Sequence, residues 1–95
     1  MFEIELTQSA RRDIKVLRKF EQKIVLDGIE DQLRFEPTVE TLNRKCLEPN
    51  DISDWELRVG RYRVFYSIEE HVVEVRAVGF KLGNELYIRG EKREL

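Results

Sequence analysis

Trp55-Glu56-Leu57-Arg58-Val59-Gly60-Arg61-Tyr62-Arg63-Val64-Phe65-Tyr66-Ser67-Ile68 is the stretch on which the fold turns. Trp55, Leu57 and Val59 alternate with Glu56 and Arg58, and beyond Gly60-Arg61 the alternation resumes through Tyr62, Val64, Tyr66 and Ile68. A period of two marks a strand with one buried face, and two such runs joined by a two-residue link containing glycine mark a hairpin. With Gly60-Arg61 as the turn, Val59 pairs with Tyr62 and Arg58 stands directly across from Arg63.

Working outward, Glu69-Glu70-His71 reads as the next turn, and Val73, Val75 and Ala77 carry the buried face on to Gly79. From Phe80 the chain reads as a short return segment and a charged tail, with Arg89 to Glu94 a flexible end. Upstream, Phe2, Ile4 and Leu6 alternate with Glu3 and Glu5 as a first strand. Thr7 is placed to cap a helix running to about Phe20, striped by Ala10, Ile14 and Leu17. A second helix from about Glu21 to Phe35 buries Val25, Leu26, Ile29 and Leu33. It stops near Glu36, because Pro37 disfavours helical geometry in the residue before it. Thr38 to Ser53 has no clean period and carries Pro49-Asn50-Asp51, so it reads as a long loop. The expected fold is α+β in one domain spanning residues 1–95. A strand and a helical hairpin precede a three-stranded antiparallel meander, and the helices cover one sheet face.

On the other face, strand parity gathers Arg58, Arg63, Phe65, Arg76 and Val78, together with Glu56 and Glu74. Arg58 opposite Arg63 is destabilising unless an anion or an acidic partner sits between them, and arginine matches phosphate bidentately. The plainer reading is a solvated lattice in which the arginines pair with Glu56 and Glu74. An exposed Phe65 among arginines favours a stacking platform or an interface instead. Asn43-Arg44-Lys45 forms a short basic cluster that serves equally well as a phosphate contact or a solvated loop.

The totals narrow the function classes. A length of 95 residues with 41% hydrophobic content supports one core. The net charge of −2 works against indiscriminate nucleic-acid binding. Charge is unevenly spread, however: Gln8 to Arg34 holds seven bases against five acids, and Glu36 to Asp54 holds five acids against Arg44 and Lys45. Cys46 is the lone cysteine and His71 the lone histidine. That excludes an internal disulfide and a histidine-pair ribonuclease, and ligand spacing for a metal is absent. No apolar run nears the roughly 18 residues of a membrane span, and no secretory leader pattern follows Met1, so a cytoplasmic protein without cofactor is expected.

The run from Trp55 to Ile68, followed by Val72-Val-Glu-Val-Arg-Ala-Val-Gly-Phe-Lys81 and Asn84-Glu-Leu-Tyr87, resembles the RelE/ParE toxin superfamily. The basic helical segment and Asn43-Arg44-Lys45 fit the same resemblance. It implies the toxin of a type II toxin–antitoxin pair with a cognate antitoxin as partner. In the ribonuclease branch, ribosome-bound mRNA is cut without a metal. There Arg63 would clamp the scissile phosphate, Lys81 would serve the leaving group, and Tyr87 would help activate the 2′-hydroxyl, with Arg58, Arg76, Phe65, Arg44 and Lys45 as RNA contacts. Tyr87 as a base requires nearby cations to lower its pKa from about 10. The sequence departs from that branch at Asp54 and Glu56, where ribonucleases carry lysines. The sister branch inhibits DNA gyrase without hydrolysis, its effector surface lying in the termini or the helices, and a degenerate member would bind its antitoxin and harm nothing.

Overall fold

The computed structural model describes residues 1–95. Along the chain lie β1 (Glu3–Leu6), α1 (Gln8–Lys15), α2 (Lys19–Leu33), β2 (Arg44–Cys46), β3 (Trp55–Val59), β4 (Tyr62–Glu69), β5 (Val72–Leu82), β6 (Glu85–Ile88) and β7 (Glu91–Arg93). The class is α+β, with two helices and a curled, mainly antiparallel sheet. The order is β2-β3-β4-β5-β6-β7, and β1 runs parallel to the first part of β5.

Thr7 caps α1, its hydroxyl accepting the Ala10 N–H at 3.1 Å. The first helix was expected to reach Phe20, yet it ends at Lys15. Arg18 adopts an extended conformation, and the Glu21 carboxylate accepts the Arg18 N–H at 2.9 Å, which starts a new helix. The second helix closes at Arg34, followed by Glu36 at φ 52° and the buried Pro37.

The β3–β4 hairpin has the anticipated register, Val59 opposite Tyr62 and Arg58 opposite Arg63. Three other expectations are corrected. The segment Thr38–Ser53 is not all loop, because Arg44–Cys46 pairs with β3 as an edge strand. The tail is not a free end: β6 and β7 form a second hairpin through Arg89-Gly90, both at positive φ. The antiparallel meander therefore grows from three strands to six, and β1 joins the sheet as a seventh strand parallel to β5.

The third correction concerns parity. Phe65 pairs with Ala77 and Tyr66 with Val75, so Arg76 is the extra residue of a β-bulge. Beyond it Val78 lies opposite Val64, within the first core and not among the arginines. That core combines Ala10, Ile14, Val25, Ile29 and Leu33 of the helices with Leu57, Val64, Tyr66, Val73 and Val75 of the strands. On the opposite sheet face Phe65, expected to be exposed, is fully buried. It forms a second core with Ala77, Leu86 and Ile88, against which Leu47, Ile52 and Leu95 pack. This core closes where β6 turns back beside β5 and its backbone comes close to Gly79. A Cβ there would overlap the Tyr87 carbonyl oxygen and sit 2.9 Å from Ile88 Cγ1. No helix is long and apolar enough to cross a membrane.

Candidate functional site

The hairpin register carries Lys45, Glu56, Arg58 and Arg63 to one sheet face, since Lys45 pairs with Glu56 and Arg58 with Arg63. Gly79 pairs with Arg63, so Lys81, two residues on, joins the same face. Lys45, Glu56 and Lys81 line a depression of about 380 Å³ that Lys92 and Arg93 bound on its far side. Lys92 is tied to Glu85 at 2.6 Å and Arg93 to Asp51 at 2.7 Å, whereas Lys45, Arg58 and Lys81 make no ion pair.

Arg63 does not stand on an open surface; its side chain is 8% exposed. Nη1 donates to the carbonyl oxygens of Gly60 at 2.8 Å and Tyr62 at 2.9 Å, and Nε lies 3.4 Å from a Glu56 oxygen. Burial pushes its pKa down, Arg58 adds to this, and Glu56 opposes it. The juxtaposed arginines are thus reconciled by an internal carboxylate. The charge-lattice alternative therefore matches the molecule at Arg63, beside Glu56, and at Arg76, whose Nε donates to Glu74 at 2.7 Å, while Arg58 has no acidic partner.

The remaining candidates are dispersed. Tyr87 pairs with Phe80 and stacks on it with centroids 5.9 Å apart, while Lys81 pairs with Leu86. Residues paired across an antiparallel ladder share a face, so Lys81 and Tyr87 emerge on opposite faces. The Tyr87 hydroxyl lies 3.3 Å from a Glu85 carboxylate oxygen. Arg44 is on the first-core face, opposite Leu57. There it donates to the Val39 carbonyl and to the Gln32 carbonyl and side-chain oxygens, pinning β2 to the end of α2. Phe65 is enclosed in the second core.

Two buried polar clusters escaped sequence reasoning. The Tyr62 hydroxyl donates to Glu21, and Arg61 Nη2 meets the same carboxylate at 3.2 Å while its guanidinium lies over Tyr62 and Phe80 at 5.5 and 5.7 Å. The Tyr62 bond, then the Arg18 N–H and Arg61, hold the Glu21 carboxyl below its ordinary range, while burial and Glu21 push Tyr62 up. Asp13 accepts from the Val78 N–H and from Arg89 Nε, both at 3.0 Å. Their partners lie 40 or more residues apart in sequence, so no local pattern announces them. No group of three His, Cys, Asp or Glu side chains is placed to hold a metal ion.

No curated protein matches the chain. Residues 4–80, which include both helices, the β3–β4 hairpin and nearly all of β5, match the family model for the ParE toxin of the type II toxin–antitoxin system parDE. That span takes in the helices, the opposed arginines and the bulged central strand together, and the chain therefore belongs to the ParE toxin family.

Proposed function

We propose that this chain is the toxin of an antitoxin-controlled pair, that it works as one domain in the cytoplasm, and that it acts by binding DNA gyrase without hydrolysing anything. The observation that carries the proposal is the emergence of Lys81 and Tyr87 on opposite faces of the β5–β6 ladder, with Arg63 held between two carbonyls and Glu56. In-line cleavage of RNA needs a phosphate clamp, a proton donor and a base converging on one phosphodiester. Here the clamp is occupied and the acid and base are separated. The ParE match supports the same branch.

The ribonuclease reading retains one observation in its favour: Lys45, Arg58 and Lys81 share a face without ion-pair partners, as phosphate contacts would. The two readings diverge in a supercoiling assay with purified gyrase, run beside primer extension on ribosome-bound messages. Gyrase inhibition without codon-phased cuts, and unaltered toxicity of Tyr87→Phe, are the expected results. Codon-phased cuts that disappear in Tyr87→Phe would overturn the proposal.

A further inference from the structure

Two adjoining depressions lie where α1 meets the turn of the last hairpin. The larger, of about 430 Å³, is lined by Ser9, Arg12 and Val16 on one side and by Arg89 and Gly90 on the other, with the largely buried Asp13 between. The smaller, of about 80 Å³, shares Asp13, Val16, Arg89 and Gly90 with it and ends among Leu17, Val78, Phe80 and Tyr87.

Arg89 is fixed at this junction by more than its turn requires. Its backbone is left-handed at φ 54°, a conformation that strains an arginine and persists only where the surroundings over-determine it, as they do at ligand sites. Nε donates to Asp13 and Nη2 to the Arg76 carbonyl, both at 3.0 Å, which leaves Nη1 without a protein acceptor and the side chain 43% exposed. Arg12, lining the same depression, takes part in no ion pair. Two cations therefore stand against one carboxylate, and Asp13 already serves the Val78 N–H as well. The surplus is a single positive charge beside an apolar end, where Val16 is 84% exposed.

That balance selects the ligand. A monoanion neutralises the surplus, and a carboxylate takes charge-assisted hydrogen bonds from guanidinium groups. The smaller depression limits the apolar part: a dry cavity of about 150 Å³ is known to admit benzene. One of about 80 Å³ takes a small branched aliphatic group instead. We propose that this cleft binds a carboxylate carried on a branched aliphatic group, such as isovalerate or the free C-terminus of a peptide ending in leucine. The carboxylate meets Arg12 and Arg89, and the aliphatic group packs against Leu17, Val78 and Phe80. Because Arg89 sits in the turn between β6 and β7, occupancy ties that hairpin to α1.

Isovalerate, N-acetyl-leucine and a short peptide ending in leucine, titrated into the full chain, test this by methyl NMR, thermal melting and amide exchange. Expected are saturable shifts of the Val16, Leu17 and Val78 methyl signals, a raised melting temperature and slowed exchange across Glu85–Arg93. Isovaleramide and the C-terminally amidated peptide keep the aliphatic group without the charge, and acetate keeps the charge without the aliphatic group; each should bind at least about tenfold more weakly. Arg12→Gln removes a cation that no ion pair of the fold uses and should weaken isovalerate by a similar factor. Val16→Ser is a second, uncharged probe and should weaken isovalerate while leaving acetate unaffected. Tighter binding of the peptide than of isovalerate assigns the cleft to a chain terminus, and the reverse order assigns it to a free acid; both support the site. Absence of a saturable shift, shifts confined to residues outside the cleft, or binding indifferent to amidation and to Arg12→Gln overturns the proposal.

Discussion

Arg63 keeps its charge almost out of water, between the Gly60 and Tyr62 carbonyls and the Glu56 carboxylate. Removing it strands acceptors that solvent barely reaches, so Arg63→Ala should lower stability by about 1–3 kcal/mol. Urea denaturation measures this, and the added loss should shrink when Glu56→Gln is already present, because the stranded carboxylate is then gone. Additivity of the two substitutions would show that they do not interact. Glu21 makes a separate prediction about pH. Its carboxyl titrates below its ordinary value of 4.5 in the folded protein, first through Tyr62, then through the Arg18 N–H and Arg61. An unfolded chain takes up that proton at a higher pH. The stabilisation is therefore complete above about 4.5 and is lost as pH falls through the lower folded value. The melting-temperature gap between wild type and Glu21→Gln should be constant near neutrality and narrow in acid.

Among the elements, the strand alternation of β3 and β4 and the Thr7 cap were legible because each is dictated by residues adjacent in sequence. Where one helix was separated from the next was not legible. Val16, Leu17 and Arg18 violate no helical pattern, and the break depends on Glu21 reaching back to the Arg18 N–H. The last hairpin was missed for a related reason: β6 and β7 are four and three residues long, too short to show a period, and are fastened by Arg89 to Asp13 and Arg93 to Asp51. At Gly79 the backbone of that hairpin comes closest to β5. A methyl group there collides with backbone at Tyr87, which cannot swing aside as a side chain would. Gly79→Ala should cost about 3 kcal/mol, the upper end of overpacking losses. Amide exchange across Glu85–Arg93 should accelerate ahead of the rest of the sheet; uniform acceleration would mean the hairpin is not separately anchored.

At the scale of the whole molecule, two cores on opposite faces of one sheet hold the chain together, and the second is made by closure of the C-terminal hairpin. Phe65 is its largest buried side chain. Phe65→Ala should cost about 3–5 kcal/mol, a large share of the stability of a domain this size, with the loss visible as a lowered urea midpoint. An exposed stacking platform would instead tolerate the substitution within about 0.5 kcal/mol. The same closure bears on the site, since it encloses Phe65 and sends Tyr87 to the face away from Lys81.

The sequence by itself determined what has a local cause: the α+β class, the Gly60-Arg61 turn with Arg58 facing Arg63, the first-helix cap, and the family to which residues 4–80 belong. Only the tertiary structure decided which side chains share a surface. One bulge residue, Arg76, returned Val78 to the first core, and the return of β6 beside β5 buried the face expected to be open. Strand parity propagates faithfully along a ladder only until an extra residue interrupts it. Whether a sheet face meets water depends on contacts between segments distant in sequence, whose free energy no local pattern encodes.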